Sequence, residues 1–176
     1  MGGRSSAWTI RETRGADLAD ILALYPLAFP DEDLRPLVSD LMTGEVETLS
    51  LAAILDDEPV GHVLFTLFDS EGGRGALLGP LAVGPSSQRR GAGSALVAEG
   101  LTRLSATETA QVFLLGDPAY YGRFGFRPER RISAPYPLPP EWGEAWQSLA
   151  LPGRTSLGID RCILPALWMN PALWAP

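Results

Sequence analysis

Leu81-Ala82-Val83-Gly84-Pro85-Ser86-Ser87-Gln88-Arg89-Arg90-Gly91-Ala92-Gly93-Ser94-Ala95-Leu96 is the stretch on which the reading of this chain turns. It opens as a buried strand, passes through a polar loop with two glycines, and continues as an amphipathic helix from about Gly91 to Ala106. Gly93, Leu96, Val97, Gly100, Leu101 and Leu104 form the apolar face of that helix. The N–H groups at a helix start have no partner inside the helix, and the helix dipole adds partial positive charge there. Gly91 and Gly93 carry no side chain to block an oxygen-rich ligand, and Arg89 and Arg90 add full charges beside them. Such a loop is an anion site sized for phosphate or pyrophosphate. A dinucleotide fingerprint needs a third glycine where Leu96 stands, and alternating strands and helices before it. A nucleophile elbow needs glycines where Ala92 and Leu96 flank Ser94. Neither fits.

Toward the amino terminus lies a pair of strands, Thr48 to Leu55 and Val60 to Phe68, flanking the turn Asp56-Asp57-Glu58-Pro59. A third strand, Ala76 to Val83, is interrupted by Gly79-Pro80, where strand pairing should break or splay. Earlier still, Trp8 to Glu12 alternates like a short strand. Leu18, Ile21, Leu22, Tyr25 and Phe29 then mark a helix, and Leu34, Leu37, Val38, Leu41 and Met42 a second, with Pro36 tolerable only in its first turn. Toward the carboxyl terminus, Gln111 to Leu115 is a buried strand. Asp117-Pro118 starts a short helix that Gly122 and Gly125 end, and Phe126 begins another extended run. Beyond Arg127 lie nine of the 16 prolines and four of the five tryptophans. That composition allows only short strands and ordered loops, for example Ala145 to Leu151 and Ser156 to Ile163, read as the last strands of the same sheet plus a covering flap.

Composition narrows the chemistry. The basic residues are 14 arginines without a lysine, which excludes a P-loop, a Schiff-base enzyme and pyridoxal phosphate. One cysteine (Cys162) and one histidine (His62) exclude zinc clusters and disulfide frameworks, so no metal is expected. A net charge of −7 argues against nucleic acid as a partner. No apolar run is long enough to span a membrane, and Met1 to Ser6 lacks a secretory core, so a cytoplasmic protein is expected.

Gln88-Arg89-Arg90-Gly91-Ala92-Gly93 resembles the Gln/Arg-x-x-Gly-x-Gly/Ala signature of the GNAT superfamily of acyl-CoA-dependent N-acetyltransferases. Tyr121-Gly122-Arg123-Phe124-Gly125-Phe126 is similar to that family's Tyr-x-x-x-Gly-Phe segment, in the same order and at matching spacing. The wording from Leu115 to Phe126 resembles a bacterial subgroup of N-acetyltransferases. The resemblance covers roughly residues 8–130, and weakly the tail of 131–176. It implies one α/β domain over 1–176, with a mixed, mostly antiparallel, V-splayed sheet flanked by helices.

The activity implied is acetyl transfer from acetyl-CoA to a primary amine by direct attack in a ternary complex. A small molecule is favoured over a protein as acceptor, and the chain would act as a monomer or homodimer. Gln88, Arg89, Arg90, Gly91, Ala92, Gly93 and Ser94 would hold the pyrophosphate, and Leu81, Ala82 and Val83 would lie along the pantetheine. Asp117, Tyr121 and Phe124 would adjoin the cofactor. Val83 N–H is the candidate oxyanion donor and Tyr121 the candidate acid for the departing thiolate. Tyr120 competes with it, since neighbours on a helix point about 100° apart. Asp117 also suits a helix cap. The base is open among Glu47, Asp69, Glu71 and Asp160. His62 reads as a structural histidine and Cys162 as an inert thiol, and Trp142, Trp146, Trp168 and Trp174 suit either an acceptor pocket or core packing. The rival reading is an idle acyl-CoA-binding module, and a longer acyl group or a non-amine nucleophile also stays open.

Overall fold

A tight turn starts the sheet. The computed structural model describes residues 8–176, so the Met1–Ser6 reading lies outside the described residues. Strands β1 (Thr9–Glu12), β2 (Thr48–Leu55) and β3 (Glu58–Ser70) form an antiparallel meander. Asp56 and Asp57 both take left-handed φ, 51° and 64°, the conformation of a two-residue turn whose twist matches its strands. The turn is therefore two residues shorter than expected. Glu58 and Pro59 already belong to β3, with Pro59 opposite Ile54 where the register slips.

Strand β4 (Gly73–Val83) pairs antiparallel with β3. Leu78 lies opposite Phe65 and Leu81 opposite Val63, so Gly79 and Pro80 together face Leu64 as a bulge, as the break predicted. Helix α3 (Ala92–Ser105; α1 and α2 follow below) then crosses over to β5 (Thr109–Leu115), which pairs parallel with β4. That pairing runs only from Arg74–Thr109 to Leu77–Phe113, and past it the strands part. The sheet therefore opens as a V. Beyond β5, β7 (Trp146–Ala150) and the two-residue β6 (Arg127–Pro128) complete seven strands in the order β1-β2-β3-β4-β5-β7-β6.

Each face of the sheet is covered. Helices α1 (Leu18–Ala28) and α2 (Arg35–Thr43) share one apolar cluster with residues of the tail, including Ile132, Leu157, Cys162, Trp168 and Trp174. Pro36 sits in the first turn of α2, where its missing N–H costs nothing. Helix α3 covers the other face through Leu96, Val97 and Leu104. Ser156 to Ile163 is not a strand: its pairing is an isolated bridge of Arg161 with Ser133. β6 already occupies the outer edge of β7, and the segment is held instead by Leu157 N–H donating to the Gln111 side chain at 2.8 Å. Among the described residues no helix is long and apolar enough to cross a membrane, and no cluster of His, Cys, Asp and Glu is suited to a metal ion.

Candidate active site

The open edge of β4 follows from its ladder. Gly84 N–H donates to Val60 O at 2.9 Å, and the register sets Val83 opposite Gly61, Ala82 opposite His62 and Leu81 opposite Val63. Hydrogen-bonded and non-bonded pairs alternate along an antiparallel ladder. Ala82 therefore turns its main-chain groups to β3, while Leu81 and Val83 turn theirs toward the gap left by β5. Val83 O is taken by the Gln88 side-chain amide at 3.0 Å. The Val83 N–H and both polar groups of Leu81 face the gap. Ala82, expected along the cofactor, is turned away, its side chain in the core under α1 and α2 at 1 % exposure.

The loop after β4 builds an anion cradle. Pro85–Ser87 make one tight helical turn, and Arg89 and Gly91 then take left-handed φ, 61° and 90°. Residues of this kind aim successive N–H groups into one concavity. Among the described residues, the N–H groups of Arg89 to Ser94 meet no protein acceptor. Helical bonding begins with Ala95 N–H on Gly91 O at 2.9 Å. Gly93 has a different role: a Cβ there would lie 2.7 Å from Tyr120 Oη, so the missing side chain admits a phenol as well as a ligand. The cavity over this loop measures 660 Å³, with Leu81, Val83, Gln88, Arg89, Gly91, Gly93, Ser94, Asp117, Tyr120 and Arg123 on its wall.

Several expected residues are off that wall. Arg90 is exposed beyond it, and Ala92 packs into the α3 core at 1 % exposure, leaving only its N–H for the cradle. Phe124 lies behind Tyr120, ring centroids 5.7 Å apart. Tyr121 turns from the cradle toward the end of β5, where a Cβ on Gly116 would lie 2.6 Å from its ring, and it packs edge-on to Phe126. Burial first, and then Tyr120 and Asp117, hold its phenol above the usual tyrosine range. Both tyrosines stand on α4 (Pro118–Tyr121), which Asp117 caps by accepting from Ala119 N–H at 2.9 Å. Their rings meet edge to face, 4.8 Å between centroids; Tyr120 lines the cavity over the cradle, and Tyr121 lies against Gly116, just past the last β4–β5 pair at the throat of the V.

The remaining candidates lie elsewhere. Glu47 and Asp69 pair with Arg74, and Glu71 occupies the β3–β4 turn, so all three sit at the far end of β4 from the gap. Asp160 is exposed on the tail, where its carbonyl accepts from Ser133 N–H. His62 is fully buried, with Nδ1 2.7 Å from Tyr25 Oη and Nε2 2.8 Å from Ser50 Oγ; burial pushes its pKa down to about 3. Burial, helped by Glu129, pushes the Cys162 thiol up to about 12. The indoles of Trp146, Trp168 and Trp174 donate to Ile132 O, Thr66 Oγ1 and Trp168 O inside the core, and Trp142 is half-buried in the tail. None of the four is on the cavity wall. Sequence reasoning passed over Arg123, whose only signal was its position inside the second motif.

Comparison with known proteins agrees with this geometry. Residues 17–126 match the acetyltransferase (GNAT) family. The chain is 35 % identical to an uncharacterized N-acetyltransferase of Escherichia coli K12, YjhQ, over 90 % of this chain and 93 % of that protein. The E. coli GNAT N-acetyltransferase YhbS, solved with CoA, superposes with a TM-score of 0.75 at 31 % identity, covering 89 % of this chain and 91 % of that one. A GNAT acetyltransferase from Brucella melitensis, solved with acetyl-CoA, gives 0.69 at 29 % identity over 88 % and 94 %.

Proposed function

This chain belongs to the GNAT acetyltransferase family, and from that premise we propose that it moves an acetyl group from acetyl-CoA to a small primary amine by direct attack in a ternary complex. One observation carries the reading. Among the described residues, six consecutive main-chain N–H groups, Arg89 to Ser94, meet no protein acceptor at the mouth of a gap edged by the free backbone of Leu81 and Val83. Free N–H groups gathered at a helix start carry partial positive charge toward one point, so this row fits an anionic ligand. The donor set also suits the carrier: amides and arginines for phosphates, a strand edge for an amide-bearing arm. Residues 1–176 act as one domain in this reading, with 131–176 closing the sheet.

Bound acetyl-CoA would supply an activated acyl group and a thiol leaving group. The rest is work for the protein. Arg89 to Ser94 bind the pyrophosphate, and the edge of β4 orients the pantetheine. Leu81 N–H and Val83 N–H face the same gap and donate to the oxygen on which charge develops. Leu81 lies two residues nearer the throat and is the better placed of the two. Tyr121, at the throat, stays protonated because burial disfavours its phenolate, and it donates toward the sulfur. Tyr120 faces the cradle and belongs to the phosphate end. The amine must lose a proton before attack, since an alkylammonium has a pKa near 10. Asp117 is the one carboxylate on the wall among the described residues, and it is engaged as a helix cap. Water is therefore the route for that proton. The test is release of free thiol from acetyl-CoA across a panel of primary amines. Turnover with at least one amine is expected, and binding without turnover on any amine would leave an idle acyl-CoA module.

A further inference from the structure

Arg123 is an exposed arginine held still. Among the described residues, most arginines whose side chains make close contacts face a carboxylate, as in Arg35 with Asp33 and Arg103 with Glu99. Arg123 has no carboxylate within 4 Å among the described residues, in a chain of net charge −7. Contacts with Tyr120, Ser94 and the Phe124 ring fix it instead. Its Nε donates to Tyr120 O at 3.1 Å, its Nη2 donates to Ser94 Oγ at 3.1 Å, and its guanidinium carbon stands 4.4 Å from the centre of the Tyr120 ring. Stacking on an aromatic face orients a guanidinium without neutralising it.

The position of this charge is informative. Ser94 carries the last free N–H of the cradle, so an oxygen seated there lies within one side chain's reach of Nη2. Nη1 meets no protein acceptor among the described residues. We propose that Arg123 is a pyrophosphate-binding residue, closing the cradle from the α4 side while the loop amides hold the anion from below. This deepens the function proposed above and rests on it. On binding, Nη2 exchanges the neutral Ser94 hydroxyl for a phosphate oxygen, a stronger charge-assisted partner. Tyr120 keeps the guanidinium in place, and the lack of a side chain at Gly93 lets the Tyr120 phenol come down onto the helix.

The test is calorimetric titration of wild type, Arg123→Gln and Arg123→Lys with acetyl-CoA and with acetyl-dephospho-CoA, which keeps the pyrophosphate but lacks the 3′-phosphate. Arg123→Gln should weaken both ligands alike by about tenfold, typical for a hydrogen bond to a charged group. Its Kd should also depend less steeply on salt, and Arg123→Lys should recover part of the affinity. The unliganded variants should melt within about 2 °C of wild type, as for surface changes generally. A loss confined to acetyl-CoA would assign the arginine to the 3′-phosphate and overturn the proposal. Unchanged affinity, or a loss with unaltered salt dependence and no recovery by lysine, would overturn it as well. Wild type that binds neither ligand would instead bring down the cradle reading beneath it.

Discussion

Two polar sites flank the end of β4, and they are opposites. On the β3 side, His62 is buried with both ring nitrogens engaged, and Ser50 Oγ also accepts from Thr13 Oγ1 at 2.8 Å. On the loop side, six consecutive N–H groups from Arg89 to Ser94 have no acceptor among the described residues, with Arg89 and Arg123 beside them on the cavity wall. Folding alone accounts for the first site, because every polar group there finds its partner within the chain. The second leaves its donors free for an outside acceptor, as the proposed anion site requires. Damage to the His62 site should therefore appear as lost stability, and damage to the cradle as lost binding or turnover.

The largest effect expected is on turnover. Tyr121→Phe should lower kcat by about 100-fold, the low end for general acid catalysis, with KM for acetyl-CoA within about twofold. Steady-state kinetics would break the comparison if KM rose and kcat held. Next comes acid. His62 is neutral in the fold with a pKa of about 3, against about 6.5 unfolded. The stability it contributes is complete above about pH 6.5 and is lost as pH falls toward 3, at about 1.4 kcal/mol per pH unit. Denaturant melts should then show about 2 kcal/mol less stability at pH 5 than at pH 7, and a flat profile would remove His62 as the cause. Gly91→Ala places a side chain at φ 90°, twisting the cradle out of shape. It should weaken acetyl-CoA about tenfold by calorimetry, and unchanged affinity would show that the loop tolerates the distortion. Smallest is Tyr25→Phe, which leaves His62 Nδ1 without its partner. It should cost about 1 kcal/mol in a melt and leave kcat alone; a fall in kcat would join the two sites that the comparison separates.

Much of this was legible where local chemistry decides the structure. Gly79-Pro80 announced the bulge in β4, and Asp117-Pro118 announced a capped helix start. Gly91 marked a helix start that needs left-handed backbone. The misreadings came where distant parts of the chain decide. Ser156 to Ile163 is expected from composition as a last strand, but β6 already holds the sheet edge it would need. Ala82 sits inside the motif, yet the ladder phase set by Gly84 and Val60 turns its polar groups away. Which tyrosine meets the cradle depends on how α4 sits against β5 and α3, a tertiary fact that spacing does not carry. Arg123 was hidden for the same reason, since Ser94 lies 29 residues away in sequence.

The most direct measurement is an amide NMR titration with CoA, following each backbone N–H. The N–H signals of Arg89 to Ser94 should move furthest, those of Leu81 and Val83 should follow, and those of Ala98 to Ser105 in the distant C-terminal half of α3 should barely shift. CoA that bound with its large shifts elsewhere, leaving Arg89 to Ser94 unmoved, would contradict the account.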